Sequence, residues 1–245
     1  MRIKAIFKVL ANKNMVYMQI RNKTIVLSFL LGLSFCMHAQ TDNEEYVQAK
    51  MINFFEFSLD PATPVYSFKD KLDRNMFGFS LAYLRQRKAE RYDFFGIELS
   101  YAHMGSITAD FFEFEDRTGS NLINVQLLYR YYPDFFFWRI EPIIEAKFGP
   151  QWMYTQTTTT SFIDDSSNLI FEHSDMGLAY AVGLGFTGHI ASQVFLLAKI
   201  NYNGGTSVTY YVPGEYISGL PIDNFTPETS PVNYLNWQLG ISVSF

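Results

Sequence analysis

Beyond its first 39 residues the chain has no cysteine, and its single thiol is Cys36. A mature protein starting at Gln40 therefore relies on no disulfide, and it can carry neither thiol catalysis nor a cysteine-zinc site. It also lacks long apolar runs. No segment after residue 39 approaches the ~20 apolar residues that a helix needs to cross a bilayer, which excludes helical membrane spans. Basic charge is scarce as well. Thirteen Lys and Arg face twenty-four Asp and Glu from Gln40 onward, a net of −11, the opposite of a nucleic-acid footprint. No glycine-rich loop cradles a phosphate, because Gly183-x-Gly185 lies inside a strand-like run where it simply makes room.

The first 39 residues are different in kind. From Met18, Arg21 and Lys23 give a basic start, Thr24–Phe35 is an apolar run of 12 residues, and Ala39 is suited to precede a cut. This reads as a secretory signal peptide over 1–39, with Met15 or Met18 as the true start. Acylation of Cys36 is disfavoured by the bulky Phe35. The remaining 206 residues, 40–245, suit one domain.

What fills that domain is alternation. Strand-like runs fall at 49–59, 76–86, 93–104, 121–132, 137–152, 176–189, 193–204 and 233–245. Successive side chains on a strand point to opposite faces, so each run has two compositions. In the sixth, Leu178, Tyr180, Val182, Leu184 and Phe186 oppose Gly177, Ala179, Ala181, Gly183 and Gly185. In the eighth, Leu235, Trp237, Leu239, Ile241, Val243 and Phe245 oppose Asn236, Gln238, Gly240, Ser242 and Ser244. Aromatic residues make up 18% of the sequence, high enough to suit half-buried strands and interfacial rings.

Connections separate a soluble sandwich from a barrel. Counted back from Phe245 they run long (205–232), short (190–192), long (153–175), short (133–136), long (105–120), short (87–92) and long (60–75). The four long gaps hold −10 of the charge, which is compatible with solvated loops on one side. The pattern Gln238-x-Gly240-x-x-Val243-x-Phe245 resembles the assembly signal of bacterial outer-membrane barrels. With the phased gaps, the chain resembles the small outer-membrane β-barrel superfamily, the OmpA/OmpX-like group. That resemblance implies an all-β, eight-stranded antiparallel up-and-down transmembrane barrel over 40–245, with periplasmic termini and long outer loops. It further implies a Gram-negative outer-membrane location. Outer-membrane lipid and lipopolysaccharide would be its surroundings, and barrel-assembly machinery its partner during biogenesis.

In this register Glu56, Glu98, Glu141 and Glu145 face inward, as do Arg130, Arg139, Lys147 and Lys199. Four acids against four bases predict a cross-lumen ion-pair network, since an unpaired buried charge costs several kcal/mol. Eight strands leave a bore that side chains just fill, so a plugged barrel is expected. Pro142, within the fifth run, predicts a bulge or a displaced strand boundary. Trp138 and Trp152 share a face 14 residues apart, roughly 35 Å of height for a tilted strand, which suits the two interfacial aromatic girdles. Tyr131, Phe135 and Phe137 would join the inner girdle, and Tyr101, Tyr202 and Tyr234 the outer.

Catalytic candidates are sparse. His103 with Ser106 and Asp110, or His173 with Ser174 and Asp175, could form a serine–histidine–acid set, yet such triplets are ordinary in polar loops. His189 falls in a short turn. Asp164-Asp165 and Glu113-Phe114-Glu115-Asp116 offer oxygen ligands without the spacing of a calcium loop. No catalytic residue, metal or cofactor is assigned. Tyr154–Phe162 and Leu169–Phe171 are β-prone, which predicts that the fifth and sixth strands continue outward as a protruding hairpin; Thr206–Val212 is β-prone too. The expected function is a non-enzymatic surface barrel whose loops bind a surface or envelope partner or brace the envelope. The alternatives are a lipid-modifying hydrolase or acyltransferase, a narrow channel or conduit for small apolar molecules, and an accessory subunit of an envelope secretion machine.

Overall fold

The computed structural model describes residues 51–89, 91–134, 140–163 and 166–245. The signal-peptide assignment, Arg139, Trp138, Phe135, Phe137, Asp164 and Asp165 lie outside the described residues.

Eight strands close into one antiparallel barrel. They are β1 (Asn53–Pro64), β2 (Met76–Gln86), β3 (Asp93–Asp110), β4 (Phe114–Tyr131), β5 (Ile140–Ser161), β6 (Ser167–Ala191), β7 (Val194–Gly205) and, after a two-stranded insert, β10 (Tyr234–Ser244). Around the ring the order is β1-β10-β7-β6-β5-β4-β3-β2, and β1 pairs with both β2 and β10. The insert pairs β8 (Ser207–Pro213) with β9 (Phe225–Pro231) as a separate hairpin. One short helix, α1 (Tyr66–Lys71), follows β1. The chain is thus an up-and-down barrel with long connections at one end, the loop end, and tight ones at the other, the short-turn end.

Alternation decides which way each strand faces. On β10 the buried Asn236, Gln238 and Ser242 line the lumen, while Trp237, Leu239 and Ile241 are exposed. The pattern recurs on β4, where Asn124, Gln126 and Arg130 are buried and Val125, Leu127 and Tyr129 lie on the outside. This is a soluble sandwich turned inside out. Gly240 closes the seam: a Cβ there would sit 2.0 Å from the Phe57 carbonyl oxygen on β1, so only glycine permits that approach.

Several boundaries move. β1 runs to Pro64, because the alternation of Glu56 and Ser58 continues through Asp60 and Ala62, all of them buried. The 105–120 segment is mostly strand. β3 and β4 pair out to Asp110–Glu115, with a register shift between His103 and Gly105, where Gly105 takes φ 137°. β5 and β6 continue to the Thr160–Ser167 pair, the extended hairpin that their sequence favours. No register shift occurs at Pro142, which pairs with Phe186, and Ile140 is the first described residue of the strand. Pro142 is tolerated because the β4–β5 ladder ends at Tyr131–Ile144, which leaves it a partner on one side only.

The lumen is layered. Next to the short-turn end lies an apolar cluster of Phe54, Leu84, Phe94, Leu128, Tyr132, Ile143 and Leu197. The ion-paired side chains follow along the axis, and then a layer of amides and hydroxyls around Asp60. At the loop end a second apolar cluster holds Met76, Met104, Leu122 and Met153 from the wall, Phe68 and Leu72 from α1 and its flank, and Val208 and Tyr210 from β8. Phe68 packs edge-on against Tyr210 at 5.3 Å. The α1 segment and the β8–β9 hairpin therefore form an apolar stopper seated in the mouth.

Candidate functional site: the lumen core and the loop-end extension

Arg130 is the centre of the lumen. It is wholly buried and its guanidinium meets Glu56 in a bidentate pair, Nη1 to Oε1 at 2.5 Å and Nη2 to Oε2 at 2.6 Å. Its Nε donates to Glu145 at 2.6 Å and a further Nη1 contact reaches the Tyr132 hydroxyl at 3.2 Å. Lys147 donates to both oxygens of Glu98 at 2.7 Å, and Lys199 lies 3.0 Å from Glu145. Three acids and three bases, contributed by β1, β3, β4, β5 and β7, thus neutralise one another across the bore. Arginine suits the shared position because its planar fork matches two carboxylates at once.

Above this sits a network of amides and hydroxyls gathered around one further buried carboxylate, Asp60. Gln238, fully buried, accepts from Lys147 at 3.2 Å and Asn201 at 2.9 Å, and donates to Ser80 at 2.9 Å and Asp60 at 3.1 Å. Ser58 donates to Asp60 at 2.9 Å. Asn124 donates to the Tyr234 hydroxyl at 3.0 Å, and Asn203 to Asn236 at 2.8 Å. Asp60 escapes a reading that ends the first strand at 59, although it shares the parity of Glu56 and Ser58.

Six of the eight residues assigned to the lumen network from sequence meet in this cluster. Glu141 does not. It is half-buried at the short-turn mouth, where it lines a cavity, because it lies two repeats of the pleat before Glu145, with Ile143 of the apolar cluster between them. Tyr234 is also corrected. It is buried inside the barrel, not in an outer girdle, since the lumen face of β10 begins there. Trp152 and Tyr154 meet in a tilted pair on the exterior at 4.9 Å, Tyr101 and Tyr202 are half-buried, and Tyr131 is exposed on the same outer surface.

The histidine triplets do not assemble. His103 Nδ1 bonds the Asn121 amide oxygen at 2.9 Å, which also accepts from Tyr101 at 2.6 Å. His173 Nε2 contacts the Thr209 carbonyl at 3.2 Å, and Asp175 accepts from the Thr209 amide at 2.7 Å. His173 and Asp175 are thus both spent in holding β8 against the wall. Ser120 adds a bond to the Tyr211 carbonyl at 2.6 Å, and Arg74 one to the Pro213 carbonyl at 3.0 Å. Burial raises the Tyr210 phenol above its ordinary value, and its hydroxyl pairs with Ser230 at 2.7 Å. Asp116 accepts from Thr159 at 2.5 Å, and no group of three metal-ligating side chains occurs among the described residues.

The extension has a free side. The β6–β7 ladder ends at Ala179–Gly205, whereas β6 continues to Ser167 with β5 as its only strand partner among the described residues. Along this overhang Leu169, Ile170, Phe171 and Met176 are exposed, and at the tips so are Phe112, Phe162 and Ile163. Thr206 pins the base of the edge, its hydroxyl accepting from the Leu178 amide at 3.0 Å.

The fold is a closed eight-stranded antiparallel ring, apolar outside, with a polar middle between two apolar clusters. No protein-family model matches the chain, and no curated protein does. Among solved structures it is similar to Neisserial surface protein A, with 13% identity over 82% of this chain and 100% of that one and a TM-score of 0.43. The attachment invasion locus protein Ail of Yersinia pestis gives 14% identity over 80% and 97%, with a TM-score of 0.39. The N-terminal β-barrel domain of Pseudomonas aeruginosa OprF gives 13% over 80% and 97%, with a TM-score of 0.34.

Proposed function

We propose that the chain is a non-enzymatic integral outer-membrane barrel that presents a β-sheet extension at the cell surface for binding a partner. Membrane insertion is supported by the exterior. Large side chains such as Phe79, Leu99, Leu127, Val182, Leu184 and Leu239 are exposed together, and a contiguous apolar surface of this kind is costly in water and favourable in hydrocarbon. In this orientation the short turns and both chain ends face the periplasm.

The observation that carries the binding role is the length of β5 and β6. A strand crosses a bilayer in about 9–11 residues, yet β5 has 22 and β6 has 25. Roughly half of each strand therefore stands clear of the membrane. The lumen is filled through its cross-section, which leaves the extension as the surface available for work. Its free β6 edge offers unpaired backbone donors and acceptors, and Leu169 and Phe171 supply apolar anchors on one face, a suitable platform for an added strand. Lipopolysaccharide and outer-leaflet lipid would surround the base.

The test replaces residues 156–172 with a short Gly-Ser turn, closing on the Thr155–His173 pair. The barrel is expected to remain folded, with different gel mobility before and after boiling, while surface adhesion or partner capture is lost. If the shortened barrel folds and every adhesion, capture and envelope-integrity phenotype persists, the binding role is wrong. A soluble periplasmic product from the intact gene would instead sink the membrane assignment.

A further inference from the structure

At the short-turn end the barrel holds a cavity of about 350 Å³ that neither the ion-pair core nor the surface extension uses. Its inner lining is aromatic. Phe54 lies 5.2 Å from Phe94 and 5.7 Å from Phe195, and Phe94 meets Tyr132 edge-on at 5.4 Å. The Tyr132 hydroxyl touches Arg130, so the cavity is blind: the charged layer is its roof. Arg91, Asp134 and Glu141 stand at the rim.

One lining group is out of place. Thr187 is 3% exposed, and its hydroxyl has no hydrogen-bond partner among the described residues. A buried hydroxyl left unsatisfied is disfavoured, and native structures normally pair it. An apolar cavity of this size with a single converging polar group has the composition of a small-molecule site. Gln86 does not compete for the role, because its amide is spent on the Arg91 carbonyl at 2.8 Å and its oxygen on the Ile52 amide at 3.0 Å.

We propose that this cavity binds a small amphipathic molecule, an aromatic body with one hydrogen-bonding group, that seats its body on Phe54, Phe94 and Phe195 and its polar group on Thr187. The rim offers charge of both signs, Arg91 with Asp134 and Glu141, and so admits a neutral or a charged tail. The site opens away from the surface extension, so it is independent of partner capture.

The test uses the full barrel in lipid nanodiscs with 2-naphthol and naphthalene as probes, read by saturation-transfer NMR against empty discs. Wild type should give saturable 2-naphthol binding above the disc background. Thr187→Val should weaken 2-naphthol roughly fivefold, the loss of one hydrogen bond, and leave naphthalene unchanged. Ala89→Trp, which projects a ring into the cavity from the β2–β3 turn, should abolish both. Leu127→Ala, on the lipid-facing surface, should change neither. Heat-modifiable gel mobility verifies each fold, and Ala89→Leu replaces the Trp variant if that one fails to assemble. Equal signals from empty discs, wild type and the Ala89 variant would mean partition into lipid only and overturn the proposal. So would a Thr187→Val variant that binds 2-naphthol as tightly as wild type.

Discussion

Replacing Arg130 by methionine should be among the most damaging single changes in the barrel. The side chain is wholly buried and serves two carboxylates, Glu56 and Glu145. Without it, the three carboxylates of the ion cluster, Glu56, Glu98 and Glu145, face only Lys147 and Lys199, and removing one partner of a buried ion pair costs ~3–5 kcal/mol because a charge is stranded. The loss should exceed that of a solvent-accessible pair such as Lys71 with the half-buried Glu228, since surface pairs contribute ~0–1 kcal/mol. Sharper still is the double variant Arg130→Met with Glu56→Gln. Within the cluster it restores two acids, Glu98 and Glu145, to two bases, Lys147 and Lys199, and should recover at least half of the single-variant loss, which separates charge imbalance from lost packing volume. Urea titration of barrels folded into lipid vesicles, read by the fraction that keeps heat-modifiable mobility, gives both numbers. A single variant within about 1 kcal/mol of wild type would refute the account of the lumen, and so would a double variant no more stable than the single.

Other consequences can be checked alongside it. Planar-bilayer recordings of the wild type should show no steady conductance, because apolar layers close the lumen at both ends of the charged core; a stable open pore would contradict this. Gly240→Val should block folding even in detergent, since its side chain would meet the Phe57 carbonyl and hold β10 off β1, whereas Ser244→Val, near the strand end, should fold normally. Removal of Phe245 should lower outer-membrane abundance more than it lowers refolding yield in detergent. Its ring is 57% exposed, so little packing is lost while the resemblance to an assembly signal is removed; equal losses would reduce Phe245 to a packing residue.

The ring of strands was readable in the sequence because the period-two pattern is imposed by two solvents at once, a polar interior and an apolar exterior, so it survives in every wall strand. Six members of the ion cluster followed from parity alone. What parity could not supply was depth. Glu141 and Glu145 have the same facing, but only the axial stagger of strands decides that one reaches the charged layer and the other the mouth. Tyr234 failed for a related reason: aromatic rings near a strand end suit a girdle or a lumen equally until the register with β7 and β1 is fixed. The stopper was hidden more deeply. Thr206–Val212 has strand character, but its partner, Phe225–Pro231, carries Pro227 and Pro231 and lacks alternation. As an isolated two-stranded hairpin it needs no central-strand donors on its outer side, so proline is permitted and the sequence signal disappears.

The free edge of β6 leads to the last prediction. If partners add as a strand beside Ser167–Glu172, backbone groups carry the affinity and individual side chains tune it. Proline at a position whose amide points away from β5 removes an outward donor without breaking the β5–β6 ladder. A proline scan over 168–172 should therefore divide into two classes. One class loses both hairpin order and binding; the other keeps the hairpin, measured by amide exchange at Thr157 and Thr159, and loses capture alone. Alternation between the two classes with a period of two residues would be the signature of strand addition. Binding that instead follows the exposed side chains, lost in Phe171→Ala and Leu169→Ala but retained in every hairpin-preserving proline variant, would show that the partner reads an apolar patch and that the edge is incidental.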